Sequence, residues 1–167
     1  MPGFNINGGS GPAANLETRR KHRWNFQTLP GIGQSALLVL QSAQRPNFKF
    51  EEPEMHHNQE VAYFAGKQSW EPITLTWYDV EQDPDISSTL YTWLQTVVTI
   101  TSANVVPPSS YKKQASLQMV DGGGTANETW TIYNCWPKEV NWQDLDYTVT
   151  DIATIEAQMR YDRAIRN

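Results

Sequence analysis

Three histidines, one cysteine and several clusters of acids are the residues of this 167-residue chain whose types could support chemistry. A zinc-like site needs ligands converging from spaced positions, but His56 and His57 are neighbours. On an extended segment neighbouring side chains point to opposite faces, and no cysteine or spaced carboxylate pair completes a tetrahedral set. They read as solvated loop histidines. Cys135 could act as a nucleophile only beside a base, yet it falls in a predicted strand next to Trp136-Pro137, where an inert, partly buried thiol is expected. The acids Glu51, Glu52 and Glu54, and Asp79, Glu81 and Asp83, cluster in loops where mutual repulsion keeps them exposed. General acid–base work would instead need two of them converging from separate elements. Gly31-Ile32-Gly33 lacks the third glycine or the lysine of a phosphate loop, and Gly122 to Gly124 leads into a strand, not a helix. Asn127-Glu128-Thr129 fits the glycosylation pattern, which means little without a secretory leader. No catalytic, cofactor-binding or metal-binding residue follows from the sequence.

Seven tryptophans are many for this length and raise the alternative of a carbohydrate-binding β-sandwich. Trp77, Trp93 and Trp130 sit on apolar stripes, however, which points to core packing. Charge is more informative. Up to Arg23 there are four basic residues, Arg19, Arg20, Lys21 and Arg23, against the single acid Glu17. From Glu51 to Val98 there are nine acids and one base, Lys67, within a chain of net charge −5. The basic cluster is too small to grip a nucleic-acid groove, and the acidic remainder repels phosphate. Opposite patches on one chain favour self-association or a charged partner.

The elements that would carry these patches follow from periodicity. With 39% hydrophobic and 19% charged residues the chain has the make-up of one folded domain. No apolar run approaches the ~20 residues of a membrane-spanning helix. Residues 1–15, with four glycines and two prolines, read as a flexible N-terminal arm, leaving 16–167 as a single domain. Ser35 to Gln41 is a short apolar run expected as a buried strand, and Phe48-Lys49-Phe50 alternates like a half-buried one. Glu51 to Glu60, with Pro53, interrupts as an exposed loop or hairpin tip. Ile73 to Tyr78 alternates β-branched and aromatic residues in the manner of a strand.

The period then changes. Ile86, Leu90, Trp93, Leu94, Val97 and Val98 share one face of a helix that Asp85 is placed to cap. Residues 102–113 read as a loop around Pro107-Pro108. Gln114 to Val120 and Glu128 to Cys135 form a hairpin across Gly122 to Gly124, which Trp136-Pro137 should end. Thr148 to Arg163 alternates as a long last strand. The sum is a mainly β, largely antiparallel sandwich or barrel with one flanking α-helix near residues 86–98. Its edges carry no evident protection, so they call for a partner.

The order of these elements carries a resemblance. Val61 to Gln95 (VAYFAGKQSWEPITLTWYDVEQDPDISSTLYTWLQ) resembles the tail tube proteins of contractile-tailed bacteriophages, through the Ala65-Gly66 turn, the alternating strand, the acidic turn and the Tyr-x-Trp-Leu helix end. Tyr111-Lys112-Lys113, Trp136-Pro137, Val140, Leu145-Asp146-Tyr147 and Thr154 to Ala164 are similar to the same family's C-terminal portion. The resemblance spans about Ser35 to Ala164 and does not reach the glycine-rich arm. It implies a non-enzymatic structural subunit without cofactors, forming hexameric rings that stack into a hollow tube. The implied partners are other copies of itself, a tail sheath protein, baseplate and tail-terminator proteins, a tape-measure protein in the lumen, and double-stranded DNA that passes through without sequence-specific binding. The implied place is the virion tail, after assembly in the host cytoplasm. Tubes of contractile bacteriocins and type VI secretion are the related alternative. Candidate interface residues are Arg19, Arg20, Lys21 and Arg23 on the basic segment, Glu51, Glu52, Glu54, His56 and His57 on the acidic loop, and Trp93 on the helix.

Overall fold

The computed structural model describes residues 19–29, 32, 37–81, 85–99 and 104–167. The expected N-terminal arm, Gly31 and Gly33, Asp83-Pro84 and the start of the run at Ser35 lie outside them. Ile73–Tyr78 forms the strand β7 its alternation predicts, burying Ile73, Leu75 and Trp77. It pairs on one side with β12 (Thr154–Arg160) and on the other with β2 (Leu40–Ala43). Lys113–Val120 (β10) and Ala126–Trp142 (β11) make the expected hairpin. Asp121 accepts from the N–H groups of Gly123 and Thr125, at 2.8 Å each, and Gly124 supplies the positive φ of +84° that the reversal needs. Strand β1 (Trp24–Thr28) adds to the far side of β10, and β13 (Arg163–Arg166) pairs with β11.

The antiparallel order is therefore β1-β10-β11-β12-β7-β2. This sheet folds over a single core that draws Phe26, Leu117 and Ile132 from one half and Leu75, Trp77 and Met159 from the other. It is a sandwich, and β1 and β2 remain as two ends that do not close a barrel. Helix α1 (Ile86–Val97) packs Ile86, Leu90 and Trp93 into the core and lies against β11. Asp85 caps it, accepting from the Ser87 N–H at 2.9 Å.

Four local expectations need correction. The run at Ser35 to Gln41 is not a buried strand: residues 37–38 are helical, Leu38 is 87% exposed, and the strand spans only Leu40–Ala43. An apolar run this short fits either conformation, and tertiary packing chose. The hairpin strand does not end at Trp136-Pro137 but runs on to Trp142, because Pro137 sits buried beside a register shift, where the ladder lacks a regular pair to break. The last strand starts only at Thr154 and is interrupted at Tyr161-Asp162 before β13. Across this interruption the register against β11 is kept, since Trp136 faces Arg160 and Tyr133 faces Arg163. The interruption falls opposite Asn134, whose φ is +57°. Both strands bend at this level and pass from one half of the sheet to the other. Finally, the proline-rich stretch holds a four-residue helix, α2 (Pro108–Tyr111), and a two-residue strand, β9 (Asn104–Val105), pairing with β8 (Val98–Thr99), so the main helix stops at Val97.

Residues 48–70 leave the sandwich as a bent ribbon. Strands β3 (Phe48–Phe50) and β6 (Gln68–Trp70) form its root, and β4 (Glu54–His57) and β5 (Glu60–Tyr63) its tip, reversing at Asn58 with φ +53°. Phe48–Phe50 is a strand, but not the half-buried one its alternation suggested: all three residues are exposed, Phe48 at 43% and Phe50 at 50%.

Candidate assembly interface

Strands β1 and β2, the ends of the sheet among the described strands, line a common cleft of about 430 Å³. Arg19, Arg20 and Lys21 enter it from the segment before β1 and Arg45 from the segment after β2, over a floor that includes Trp24 and Leu117. Two of these arginines reach on to Glu128, which is 3% exposed. Glu128 sits on the strand face that also carries Trp130 and Ile132, so its carboxylate is driven inward with the apolar stripe and must be paired there. Trp130 Nε1 donates to Oε1 at 2.5 Å, Arg19 pairs with Oε2, Arg166 lies 3.3 Å from Oε2 and Arg45 lies 3.7 Å from Oε1. Burial pushes this carboxyl up, but the Trp130 N–H and the charges of Arg166, Arg19 and Arg45 outweigh it and hold the group below the ordinary glutamate range. Three guanidiniums on one carboxylate, with Arg20 and Lys21 beside them, leave the cleft strongly positive. Arg23 is turned elsewhere, its guanidinium lying over Gly122 in the β10–β11 turn.

The ribbon carries the opposite charge. Every residue from Glu51 to Phe64 is exposed, including Glu51, Glu52, Glu54, His56 and His57. His56 Nε2 lies 3.4 Å from Glu54 Oε2 on one face of β4, and His57 points to the other. Stacking anchors the root: Phe48 meets Trp70 with ring centroids 4.9 Å apart, Trp70 meets Tyr161 at 5.7 Å, and the Tyr161 hydroxyl donates to the Asn47 carbonyl at 3.4 Å. The bend in the ribbon is closed by Gly66, whose N–H donates to the Glu51 carbonyl at 2.7 Å. A methyl group on Gly66 would stand 2.8 Å from that same oxygen, so the approach depends on glycine.

A second projection is the turn between β11 and β12. Leu145, Tyr147, Val149 and Ile152 are all more than half exposed there, while Asp146 accepts from both the N–H and the hydroxyl of Thr148. Trp93 is 4% exposed and donates its indole N–H to the Tyr111 carbonyl at 2.9 Å; it fixes α1 against α2 instead of presenting a surface. The outward side of α1 is marked by Tyr91, which meets Trp142 with centroids 6.4 Å apart. Of the seven tryptophans only Trp142 falls among the exposed residues, which removes the stacked platform a sugar-binding surface would need. Cys135 is fully buried and burial pushes its thiol up to about 12. Among the described residues no group of histidines, cysteines and carboxylates converges as metal ligands would. The features that remain among the described residues are a positive cleft, a negative ribbon, two sheet ends paired on one side only and exposed apolar side chains.

Residues 34–164 match the family described as T4-like virus tail tube protein gp19. The chain belongs to this family. A relative in Serratia phage KSP90, described as a tail tube protein, is 23% identical over 159 residues, covering 88% of each chain. Two solved structures share the fold. The sheath-tube complex of an extracellular contractile injection system, PVC, in its extended state gives a TM-score of 0.70 at 19% identity, covering 96% of this chain and 99% of the other. The tube-terminating cap of the anti-feeding prophage gives 0.70 at 18% identity, with 91% and 92% covered. This tail tube protein is thus a structural subunit of a tail tube, as the order of its elements implied. Its charge segregation was legible as counts along the sequence, but Arg45, Glu128 and Arg166 were not singled out. An acid in step with Trp130 and Ile132 on an alternating strand was the available clue to Glu128.

Proposed function

We propose that this tail tube protein assembles as hexameric rings that stack into a hollow conduit, carried inside a contractile sheath and passing double-stranded DNA without reading its sequence. The observation that carries the reading is the exposed ribbon of residues 48–70, a two-stranded projection with apolar and acidic side chains uncovered on both faces. An isolated two-stranded ribbon is marginal in water and calls for a partner surface. Contact surfaces in this reading are the basic segment with Arg19, Arg20, Lys21 and Arg23, the ribbon with Glu51, Glu52, Glu54, His56 and His57, and the face of the helix that Trp93 holds in place. The acidic bias of the chain suits a DNA channel, since basic walls would hold phosphates through counterion release.

The further partners in this reading are the sheath protein outside, terminator and baseplate proteins at the ends, and a tape-measure protein in the lumen before DNA enters. Assembly takes place in the host cytoplasm before the tube joins the virion. The fold shared with extracellular injection systems supports a second reading, a tube of a phage-derived or secretion-type system without a genome. Particles with DNA-filled heads distinguish the first. Negative-stain microscopy of the purified protein tests both: rings or tubes on the order of a hundred ångströms across, a few domain widths, are expected. Dispersed monomers at high concentration would overturn the self-assembly that both require.

A further inference from the structure

Resting on the self-assembly reading, we infer that the β1–β2 cleft is a carboxylate socket and that the acidic ribbon of a second copy fills it, through Glu51, Glu52 and Glu54. Among the described residues the cleft's lining holds four cationic side chains, Arg19, Arg20, Lys21 and Arg45, and no acid. Glu128 behind it offsets one of the charges that meet there and is itself shared among three arginines. Guanidinium groups in such an arrangement select planar carboxylates through paired N–H donors. Trp24 and Leu117 supply an apolar floor on which Pro53 and Met55, the residues flanking Glu54, can rest. The two strands lining the cleft are the ends of the sheet, each paired on one side only among the described strands, so an extended segment laid between them would also find ladder groups.

The ribbon has the reach and the charge. Phe48 to His57 spans ten residues, roughly 30 Å at about 3.3 Å per residue. Its root is pinned to Tyr161, so the acids stand off the parent domain and toward a neighbour. Among the described residues, the Glu51 and Glu52 side chains make no ion pair or hydrogen bond. The turn after β11 also carries acids, Asp144, Asp146 and Asp151, but Asp146 is committed to Thr148 within its own turn. A DNA duplex presents phosphates on a convex rod that suits an open basic surface better than a cleft holding a few side chains.

Cysteine pairing tests the contact directly, because the one native cysteine is buried and its thiol is pushed up to about 12. The double variant Arg20→Cys/Glu52→Cys should give a ladder of disulfide-linked multimers on mild oxidation, and Arg20→Cys/Asp146→Cys should not. A ladder from the Asp146 pair in place of the Glu52 pair would overturn the assignment. Charge reversal supplies the second arm. Glu51→Lys/Glu52→Lys/Glu54→Lys and Arg20→Glu/Lys21→Glu should each lower tube yield about tenfold or more, and mixing the two should restore part of it, since the unchanged socket of one variant then meets the unchanged ribbon of the other, and the substituted cleft, brought from four positive charges to about neutral, no longer repels the lysine-bearing ribbon. If wild type grows tubes and the reversed-ribbon variant grows them equally well, the socket is refuted while the tube reading stands. If wild type grows no tubes yet the Glu52 pair still cross-links, the tube reading falls and the socket stands. Salt-dependent binding of duplex DNA that is lost in Arg20→Glu/Lys21→Glu, with assembly unchanged, would reassign the cleft to nucleic acid.

Discussion

Glu128 is the residue where sequence pattern and chemistry collide, an acid in register with Trp130 and Ile132 on the inward face of β11. Its arginine partners are each about half exposed, at 46% for Arg19, 57% for Arg45 and 54% for Arg166, and can rehydrate if the carboxylate is lost. Glu128→Gln should therefore cost about 1–3 kcal/mol, the range of a charge-assisted hydrogen bond, and not the ~3–5 kcal/mol of an ion pair sealed from water. In a thermal melt this is a fall of about 2–10 °C for a domain of this size. The sign with pH follows from the lowered carboxyl. A folded-state value below the unfolded one contributes stability above the unfolded range, near pH 4.3, and loses it as pH falls through the folded value. The gap between wild type and Glu128→Gln should accordingly be full at pH 7 and shrink as the melts are taken more acid; a gap that widened would contradict the pairing. The two core tryptophans make a paired test. Trp77 is fully buried and its indole N–H has no partner among the described residues, whereas Trp93 donates to Tyr111 and lies under the Lys113 ammonium at 5.5 Å. Urea unfolding should show Trp93→Phe costing about 1 kcal/mol more than Trp77→Phe, the worth of one net hydrogen bond.

Among the elements, those with a sustained period were legible in the sequence: β7 with its strict alternation, α1 with its 3.6-residue stripe and Asp85 cap, and the β10–β11 hairpin across its glycines. What was not legible is where long strands bend. Pro137 reads locally as a stop, but β11 continues because its partner strand bends with it, and that partner lies beyond an 11-residue turn. The corner is held by Asp162, which accepts from Lys112 and from Asn134 Nδ2 at 2.8 Å, contacts that no local pattern announces. The candidate site divides the same way. Basic segment and acidic ribbon stand out as runs of charge, while the Arg19–Glu128 pair joins residues 109 positions apart. Gly66 is the element-scale test of the ribbon. A methyl group there would meet Glu51 O at 2.8 Å and Pro53 Cδ at 3.0 Å, so Gly66→Ala must re-angle the tip relative to the root. The core lies elsewhere, so the melting temperature should move by no more than about 2 °C, less than 1 kcal/mol's worth, while tube yield in sedimentation falls sharply. Normal tubes from this variant would show that the bend of the ribbon is dispensable.

Across the whole molecule, apolar exposure and charge segregation compete to drive association, and salt separates them. Phe50, Met55, Tyr63 and Phe64 on the ribbon and Leu145, Tyr147 and Ile152 on the far turn are each at least half exposed, an amount that a monomeric surface rarely leaves uncovered. If burial of these side chains set the rate of growth, added salt would leave it unchanged or raise it, because excluded salts strengthen apolar contact. The positive cleft and the negative ribbon predict the reverse for encounter. Their attraction acts over a screening length of ~10 Å at 0.1 M ionic strength and ~3 Å at 1 M, and charge steering raises association rates by one or more orders of magnitude at low salt. Growth followed by light scattering should therefore slow about tenfold or more as sodium chloride rises from ~0.05 to ~0.5 M, with tubes already formed persisting because their apolar contacts are buried. The Arg20→Glu/Lys21→Glu variant mixed with the reversed-ribbon variant should show a shallower slope, since Arg19 and Arg45 leave the substituted cleft about neutral and only the unchanged cleft and unchanged ribbon keep the full attraction. A rate that is flat or rising with salt would place the driving force on the apolar side chains and reduce the charge pattern to a means of keeping the free subunit in solution.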